Sequence, residues 1–214
     1  ALIGFIETLR GPAREDTEAR ERFLAVMEGE AARMNRLVGD LLSLSRVEAE
    51  ERVRPTEQVD IVGLIRSTLN GLAPLATRQD ATLEVEAPQD ELLLPGDPDQ
   101  LRQVFSNLVE NALKYGGSGV RIVVQISAPQ QVPGLRGMGV LIHVRDTGPG
   151  IDPMHVPRLT ERFYRVDTHR SRQQGGTGLG LAIVKHIINR HRGRLRIQST
   201  PGEGTEIIVK LPVE

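Results

Sequence analysis

The chain has 214 residues, enough for one full domain with an appendage or for two small domains. Its 27 Lys and Arg residues nearly balance 28 Asp and Glu residues, so no global field favours nucleic acid as a partner. The absence of cysteine excludes disulfides, thiolate metal sites and cysteine nucleophiles, in agreement with a reducing compartment. No apolar run approaches the roughly 18 residues that a membrane-spanning helix needs, and no signal peptide is recognised. We therefore expect a soluble, cytoplasmic piece.

The first quarter of the chain has helical periodicity. Residues 1–10 are typical of the end of a helix that Gly11-Pro12 stops, and a long helix is predicted over residues 15–51. This helix carries a seam at alternating steps of three and four: Phe23, Met27, Glu30, Met34, Leu37 or Val38, Leu41 and Leu44. One helix and a short partner cannot bury such a seam alone. We expect residues 1–54 to form a homodimer as a four-helix bundle.

Arg54-Pro55-Thr56 breaks the long helix and predicts a boundary between residues 1–54 and 55–214. Strands and helices alternate beyond it, which indicates a mixed sheet packed on helices, a two-layer α/β sandwich. Strands are predicted at 58–60, 82–86, 92–94, 120–127, 140–145, 194–199 and 206–211. Helices are predicted at 61–78, with an interruption at Gly71 to Pro74, from 98 through 115, and at 179–192.

The helix that contains residues 107–115 carries two different faces. One stripe is apolar, and a neighbouring stripe holds Asn107, Asn111, Lys114 and Tyr115. Amide oxygens suit a hard cation such as Mg²⁺, an ammonium suits a phosphate, and a phenol ring offers a flat surface to a base. A solvated amphipathic helix is the alternative for this stretch taken alone.

Two glycine-rich turns add further candidates. Asp146 follows a strand and precedes Gly148 and Gly150, so its carboxylate is a candidate acceptor for an exocyclic amine. Residues 175–180 lead straight into a helix, and glycine-rich backbone at a helix start exposes N–H groups to anionic oxygens.

Between the two turns, the polar stretch 167–174 has little to bury and is predicted to be a mobile lid. Cations outnumber anions across residues 158–196, which favours a polyanion such as a triphosphate over the alternative of a solvated basic face.

In this order and spacing, the segments resemble the ATP-binding domain of bacterial sensor histidine kinases, members of the GHKL (Bergerat-fold) ATPase superfamily. The resemblance covers nearly the whole chain. It comprises the N box (107–115), the first glycine box (146–150), the F box (162–165), the second glycine box (176–180) and the closing turn (202–205). Residues 178–193 look most like those of phosphate-regulon sensor kinases, so phosphate is a candidate stimulus.

The resemblance implies roles by position. Asp146 would bind the adenine amine, Asn111 with Asn107 would hold Mg²⁺, and Arg165 would contact the phosphates. The implied catalytic residues are Asn107, Lys114 and Arg165. The implied ATP-binding residues are Asn107, Asn111, Lys114, Tyr115, Asp146, Gly148, Gly150, Ile151, Phe163, Arg165, Gly176, Thr177, Gly178, Leu179, Gly180 and Thr205.

Asn107 also bears on the reaction. GHKL hydrolases carry a glutamate there, and an amide cannot act as a general base, so transfer to a protein nucleophile is favoured over hydrolysis. Glu110 neighbours the stripe and is expected to point elsewhere.

The resemblance implies a phosphoacceptor histidine on the first bundle helix, but residues 1–54 contain none; the five histidines lie at 143, 155, 169, 186 and 191. Because the chain begins at Ala1 inside an apolar periodic run, we expect a piece of a longer, membrane-anchored protein that cannot phosphorylate itself.

The implied partners are a second copy of the chain and a response-regulator receiver domain, and the catalytic domain would swing on the linker 52–56. Two alternatives stay open: a GHKL ATPase that hydrolyses ATP, and a nucleotide-binding dimerisation module without transfer activity.

Overall fold

The computed structural model describes residues 2–11, 15–49, 53–166 and 176–214. Its first part is a pair of helices, α1 (Leu2–Arg10) and α2 (Thr17–Ala49), whose Phe5 and Phe23 rings lie 5.6 Å apart. Asp16 starts α2 by accepting a hydrogen bond from the Ala19 amide. The predicted lid at 167–174 lies outside the described residues. No helix in the described ranges combines the length and apolarity of a membrane span.

The predicted seam of α2 divides into two parts. Leu44, which is 3% exposed, joins the core of the following domain. Met34, Val38 and Leu41 remain about half exposed. An apolar stripe of this kind on a long helix is typical of a surface that another helix covers.

The rest of the chain is an α/β unit. The elements are β1 (Glu57–Asp60), α3 (Ile61–Arg78), β2 (Thr82–Glu86), β3 (Leu93–Gly96), α4 (Pro98–Gly116), β4 (Arg121–Ile126), β5 (Gln130–Gln131), β6 (Met138–Asp146), a 3₁₀ turn (Val156–Arg158), α5 (Gly180–Arg190), β7 (Arg194–Thr200) and β8 (Gly204–Pro212). The main sheet has the strand order β2-β4-β6-β8-β7; β2 runs parallel to β4, and the other neighbouring pairs are antiparallel. β5 pairs with the start of β6, whereas β1 and β3 form a separate antiparallel pair.

One face of the sheet packs on the helices because its strands alternate apolar and polar residues. Ile122, Ile142 and Val209 point inward and are fully buried, as are Phe105 of α4 and Ile187 of α5. The predicted two-layer α/β sandwich, preceded by a helical hairpin, is confirmed.

The predicted interruption of α3 at Gly71 to Pro74 is wrong, because the helix continues from Ile61 to Arg78 with Pro74 inside it. Proline removes one backbone donor and usually kinks a helix. Here Leu69 and Ala76, on either side of the proline, are both buried in the core, so packing holds both halves of the helix on the domain.

Several predicted boundaries shift by one or two residues, and the third strand and the last helix are examples. The third strand begins at Leu93 rather than Leu92 and continues to Gly96 in its pairing with β1. The last helix ends at Arg190, because Arg192 takes a left-handed φ of 58° that a helix cannot include.

Candidate functional site

A cavity of about 380 Å³ opens between α4, the two glycine-rich turns and α2. Helix α4 forms one wall of the cavity, and its N-cap and its packing on the sheet determine which side chains this wall presents. Asp97 caps the helix by accepting from the amides of Asp99 and Gln100, each at 3.1 Å. The buried stripe of α4 then faces the sheet, which turns the Asn107 and Asn111 stripe toward the cavity.

Glu110 also lines the cavity, so the prediction that it points elsewhere is wrong. The Ser106 hydroxyl donates to Glu110 Oε1 at 2.9 Å, and Lys114 Nζ lies 3.6 Å from Glu110 Oε2. Both partners stand one helical turn away, and such neighbours draw a carboxylate along the helix surface.

Asn107 brings an unusual feature to this wall. Its side-chain nitrogen, Nδ2, is inaccessible to solvent and has no hydrogen-bond partner among the described residues. A buried amide donor of this kind is costly unless another group pairs with it. Asn107 Nδ2 is thus a donor on the cavity wall that the described residues leave unpaired.

The opposite end of the cavity is formed by Asp146, at the end of β6. Burial raises the pKa of the Asp146 carboxyl, and hydrogen bonds from the backbone N–H groups of Gly148 and Thr205 partly oppose that rise. Thr205 itself lines the cavity, and its hydroxyl lies 2.9 Å from the Ser199 hydroxyl. Asp146 and Thr205 are therefore adjoining polar residues at this end of the cavity.

The glycines of the first turn are required by close backbone contacts. A Cβ on Gly148 would lie 2.7 Å from Gly116 Cα, and one on Gly150 would lie 2.0 Å from the Thr200 carbonyl oxygen. Gly150 also has a left-handed φ of 69°. Gly150 and Ile151 line the cavity, whereas Gly148 supports the turn from behind.

The second glycine turn forms the remaining wall with Gly176, Thr177, Gly178 and Gly180. Leu179 is fully buried in the core instead, where it anchors the turn.

The Phe163 side chain is 57% exposed and does not line the cavity. Its backbone N–H donates to the Gly178 carbonyl at 2.8 Å and so helps to hold the second glycine turn. The aromatic side chain of this segment that lines the cavity is Tyr164. The Tyr164 hydroxyl lies 2.6 Å from His155 Nδ1, and the Arg158 guanidinium sits over its ring at 4.2 Å. Sequence reasoning missed Tyr164, although its place beside Phe163 was visible.

Two further cavity residues, Arg36 and Asp40, come from α2. Thr177 Oγ1 donates to Asp40 Oδ2 at 2.6 Å, across a sequence separation of 137 residues. Only a prediction of long-range contacts could have placed these side chains here.

Most of the residues implied for nucleotide binding meet in this cavity. Those that line it are Asn107, Asn111, Lys114, Tyr115, Asp146, Gly150, Ile151, Arg165, Gly176, Thr177, Gly178, Gly180 and Thr205. The described residues hold no group of three His, Cys, Asp or Glu side chains arranged to bind a metal. The oxygens that the cavity offers to a cation include the amide oxygens of Asn107 and Asn111.

Two family profiles match the chain. Residues 96–214 match the histidine kinase-, DNA gyrase B- and HSP90-like ATPases, and residues 1–50 match the His Kinase A (phospho-acceptor) domain. The phosphate regulon sensor protein PhoR of Pseudomonas aeruginosa is 40% identical over 204 residues, which is 95% of this chain and 44% of that protein. The sensor protein kinase WalK of Staphylococcus saprophyticus is 40% identical over all 214 residues, which is 34% of its length.

Solved structures agree with these matches. Full-length ShkA in complex with AMPPNP superposes with a TM-score of 0.73 at 28% identity, over 92% of this chain and 39% of that chain. The mycobacterial sensor histidine kinase MprB gives 0.59 at 31% identity, over 73% of this chain and 97% of that one. The chain spans less than half the length of the curated relatives it matches.

A mixed sheet covered by α4 and α5, with a cavity between glycine-rich turns, defines the fold of the GHKL nucleotide-binding domains. The chain belongs to the histidine kinase-, DNA gyrase B- and HSP90-like ATPase family, and it joins this domain to a phospho-acceptor domain as sensor histidine kinases do.

Proposed function

We propose that the chain is the catalytic core of a sensor histidine kinase, which binds Mg²⁺-ATP and transfers the γ-phosphoryl group to a histidine of the dimerisation domain. The observation that carries the proposal is that Asp146 and the two asparagines of α4, far apart in sequence, face one cavity. At one end of this cavity is a buried carboxylate, and at the other are glycine backbone and cations.

The cavity suits a nucleotide in one orientation. The adenine amine would donate to Asp146, with Tyr115 and Ile151 beside the base. The phosphates would then extend toward Lys114, Arg165 and the glycines before α5, where the helix start favours anions.

Asn107 and Asn111 fit a magnesium site by the chemistry of their donors. Their amide oxygens are hard ligands, and the unpaired Asn107 Nδ2 is a donor that a phosphate oxygen beside the cation would satisfy. When bound, Mg²⁺ would neutralise charge on the phosphates. The chain's own part is to hold the triphosphate in line with the incoming imidazole and to keep water away from it.

Transfer to histidine requires an acceptor, and residues 1–50, which match the phospho-acceptor domain, contain no histidine. The acceptor must therefore be supplied from outside this sequence. We propose that the half-exposed stripe of Met34, Val38 and Leu41 pairs with a second copy of the chain, and that a response-regulator receiver domain takes the phosphoryl group from the histidine.

For the whole protein, we propose phosphate as the stimulus, which the similarity to a phosphate regulon sensor protein supports. We also propose that the whole protein is a membrane-anchored sensor with this part in the cytoplasm.

The second candidate function is ATP hydrolysis, and one observation favours it: Glu110 lies in the cavity, where a carboxylate is a candidate general base. Against it, Glu110 already accepts a hydrogen bond from Ser106 and pairs with Lys114.

The test is phosphoryl transfer from γ-labelled ATP to an added dimerisation helix pair that carries the acceptor histidine. We expect label on the added protein and little free phosphate. Rapid phosphate release without labelled protein, abolished by Glu110→Gln, would favour the hydrolase instead.

A further inference from the structure

The helix α2 reaches into the candidate nucleotide site through a direct polar contact. Asp40 of α2 accepts a hydrogen bond from the Thr177 hydroxyl at 2.6 Å, and Arg36, one turn earlier, also lines the cavity. Thr177 belongs to the second glycine turn, whose backbone faces the same space.

The contact continues along the helix for two more turns. Glu48 pairs with Arg162 and lies 3.4 Å from His186 Nε2, and Ser43 donates to Gln103 Oε1 at 2.9 Å. Between these polar contacts, Leu44 and Val47 are almost fully buried against the catalytic domain. The helix is thus docked on the domain rather than only tethered to it.

The Asp40 carboxylate accepts from the Thr177 hydroxyl, a donor that a bound phosphate would also use. The Thr177 hydroxyl donates its single proton to Asp40, while its oxygen accepts from the Leu179 amide at 3.2 Å. A phosphate at this turn would need the same donors, and it would face a second negative charge at short range in a partly enclosed space. Like charges in such a setting repel strongly.

We propose that Asp40 is an internal competitor of the nucleotide phosphates: in the docked arrangement it holds Thr177, and an incoming triphosphate displaces it and frees α2. This inference rests on the proposed function. By thermodynamic reciprocity, docking of α2 weakens triphosphate binding by the same factor by which the triphosphate weakens docking.

The start of the linker has its own contacts with the catalytic domain. Arg190 Nε donates to the Val53 carbonyl at 3.2 Å, Arg190 Nη1 pairs with Asp97 at 3.2 Å, and Arg54 donates to the Glu214 carbonyl. None of these contacts involves Asp40, so its displacement by a triphosphate leaves Val53 and Arg54 in place.

The test compares the affinities of a non-hydrolysable ATP analogue and of adenosine, with Mg²⁺, for the wild type and for Asp40→Asn. The variant keeps the size of the side chain and an acceptor oxygen but removes the charge. We expect the ATP analogue to bind the variant at least about 5-fold more tightly than the wild type. Adenosine, which has no phosphates, should bind both proteins with equal affinity. Ala25→Glu, at an exposed position on the same helix outside the cavity, is the charge-changing control and should alter neither affinity.

A second measurement follows the position of α2 by hydrogen exchange of its amides between Asp40 and Glu48. In the wild type the ATP analogue should speed this exchange and adenosine should not. Asp40→Ser, checked for folding by circular dichroism, provides an independent removal of the carboxylate.

Equal affinities of wild type and both variants for the ATP analogue, with exchange unchanged by it, would overturn the competition while leaving the kinase proposal intact. Binding of neither ligand to any variant would overturn both, so the two failures are distinguishable.

Discussion

Asp146 Oδ1 accepts a hydrogen bond from the Gly148 amide at 2.9 Å, so the turn that follows β6 holds the carboxylate that faces the cavity. The Thr205 amide also donates to this group. The charged form is thereby stabilised by backbone donors in a place where burial disfavours it.

Asp146→Asn should weaken adenine-nucleotide binding by roughly 10- to 100-fold, because a charge-assisted hydrogen bond to the base is lost. Isothermal titration with an ATP analogue measures the change. An unaltered affinity in this variant would contradict the assignment of the base end of the cavity.

The same carboxylate predicts a pH dependence of binding. Burial raises the pKa of Asp146, and an exocyclic amine donates more strongly to the ionised carboxylate than to the protonated acid. Affinity should therefore fall as the pH is lowered toward the raised pKa, at higher pH than for an ordinary aspartate. Titrations from pH 8 downward, with folding followed in parallel, check this; a flat profile for the folded protein would count against it.

Gly150→Ala should destabilise the fold by about 2–4 kcal/mol, because the new Cβ would meet the Thr200 carbonyl oxygen and the backbone has a left-handed φ. Gly202→Ala is the matched control: Gly202 has a similar φ of 86°, but a Cβ there meets nothing within 4 Å. The control should cost only about 1 kcal/mol. Urea denaturation measures the free energy of unfolding of both variants. Equal losses would show that the left-handed φ, and not the contact with Thr200, causes the destabilisation.

His191 should make stability depend on pH. It is buried, its Nε2 accepts from the Asp97 amide at 3.0 Å, and its Nδ1 donates to the Ile187 carbonyl at 2.8 Å, so the neutral ring is fully used. Burial lowers the pKa of His191. A lowered pKa means that the unfolded chain binds the proton more readily, so the contribution to stability is present above the unfolded pKa of about 6.5 and is lost as the pH falls below it.

His191→Phe removes both hydrogen bonds and leaves the Asp97 amide without this acceptor. We expect a loss of about 1–3 kcal/mol at pH 7.5 and a weaker dependence of stability on pH between 7 and 5. Thermal unfolding at several pH values, with wild type alongside, measures both effects. The same slope in variant and wild type would exclude His191 as its source.

Val38→Glu should shift the chain from dimer to monomer, because it places a charge in the exposed apolar stripe of α2. Sedimentation velocity at tens of micromolar measures the effect. Ala25→Glu, on a different face of the same helix, should leave the association unchanged.

Much of the architecture could be predicted because it is written in local patterns. The alternation in β4 and β6, the Asp97 cap and the glycines at 148 and 150 each follow from short-range chemistry. The prediction of a break at Pro74 is wrong because the packing around α3 involves residues distant in sequence.

Only part of the site could be predicted from the sequence, because some of its residues are placed by packing between distant segments. Asn107 and Asn111 are one helical turn apart, so their helical spacing alone predicts that they share a face. Tyr164 rather than Phe163 lines the cavity because the backbone at Phe163 has a φ of 62°, which no pattern of letters reveals. Asp40 lies in the cavity only because α2 folds back against the domain.

The near contact between Gly148 and Gly116 couples two walls of the cavity. Because the end of α4 and the turn after β6 touch through bare backbone, neither wall can move closer to the other. The cavity therefore cannot narrow between these two walls, and its base end keeps the width that the two glycines set.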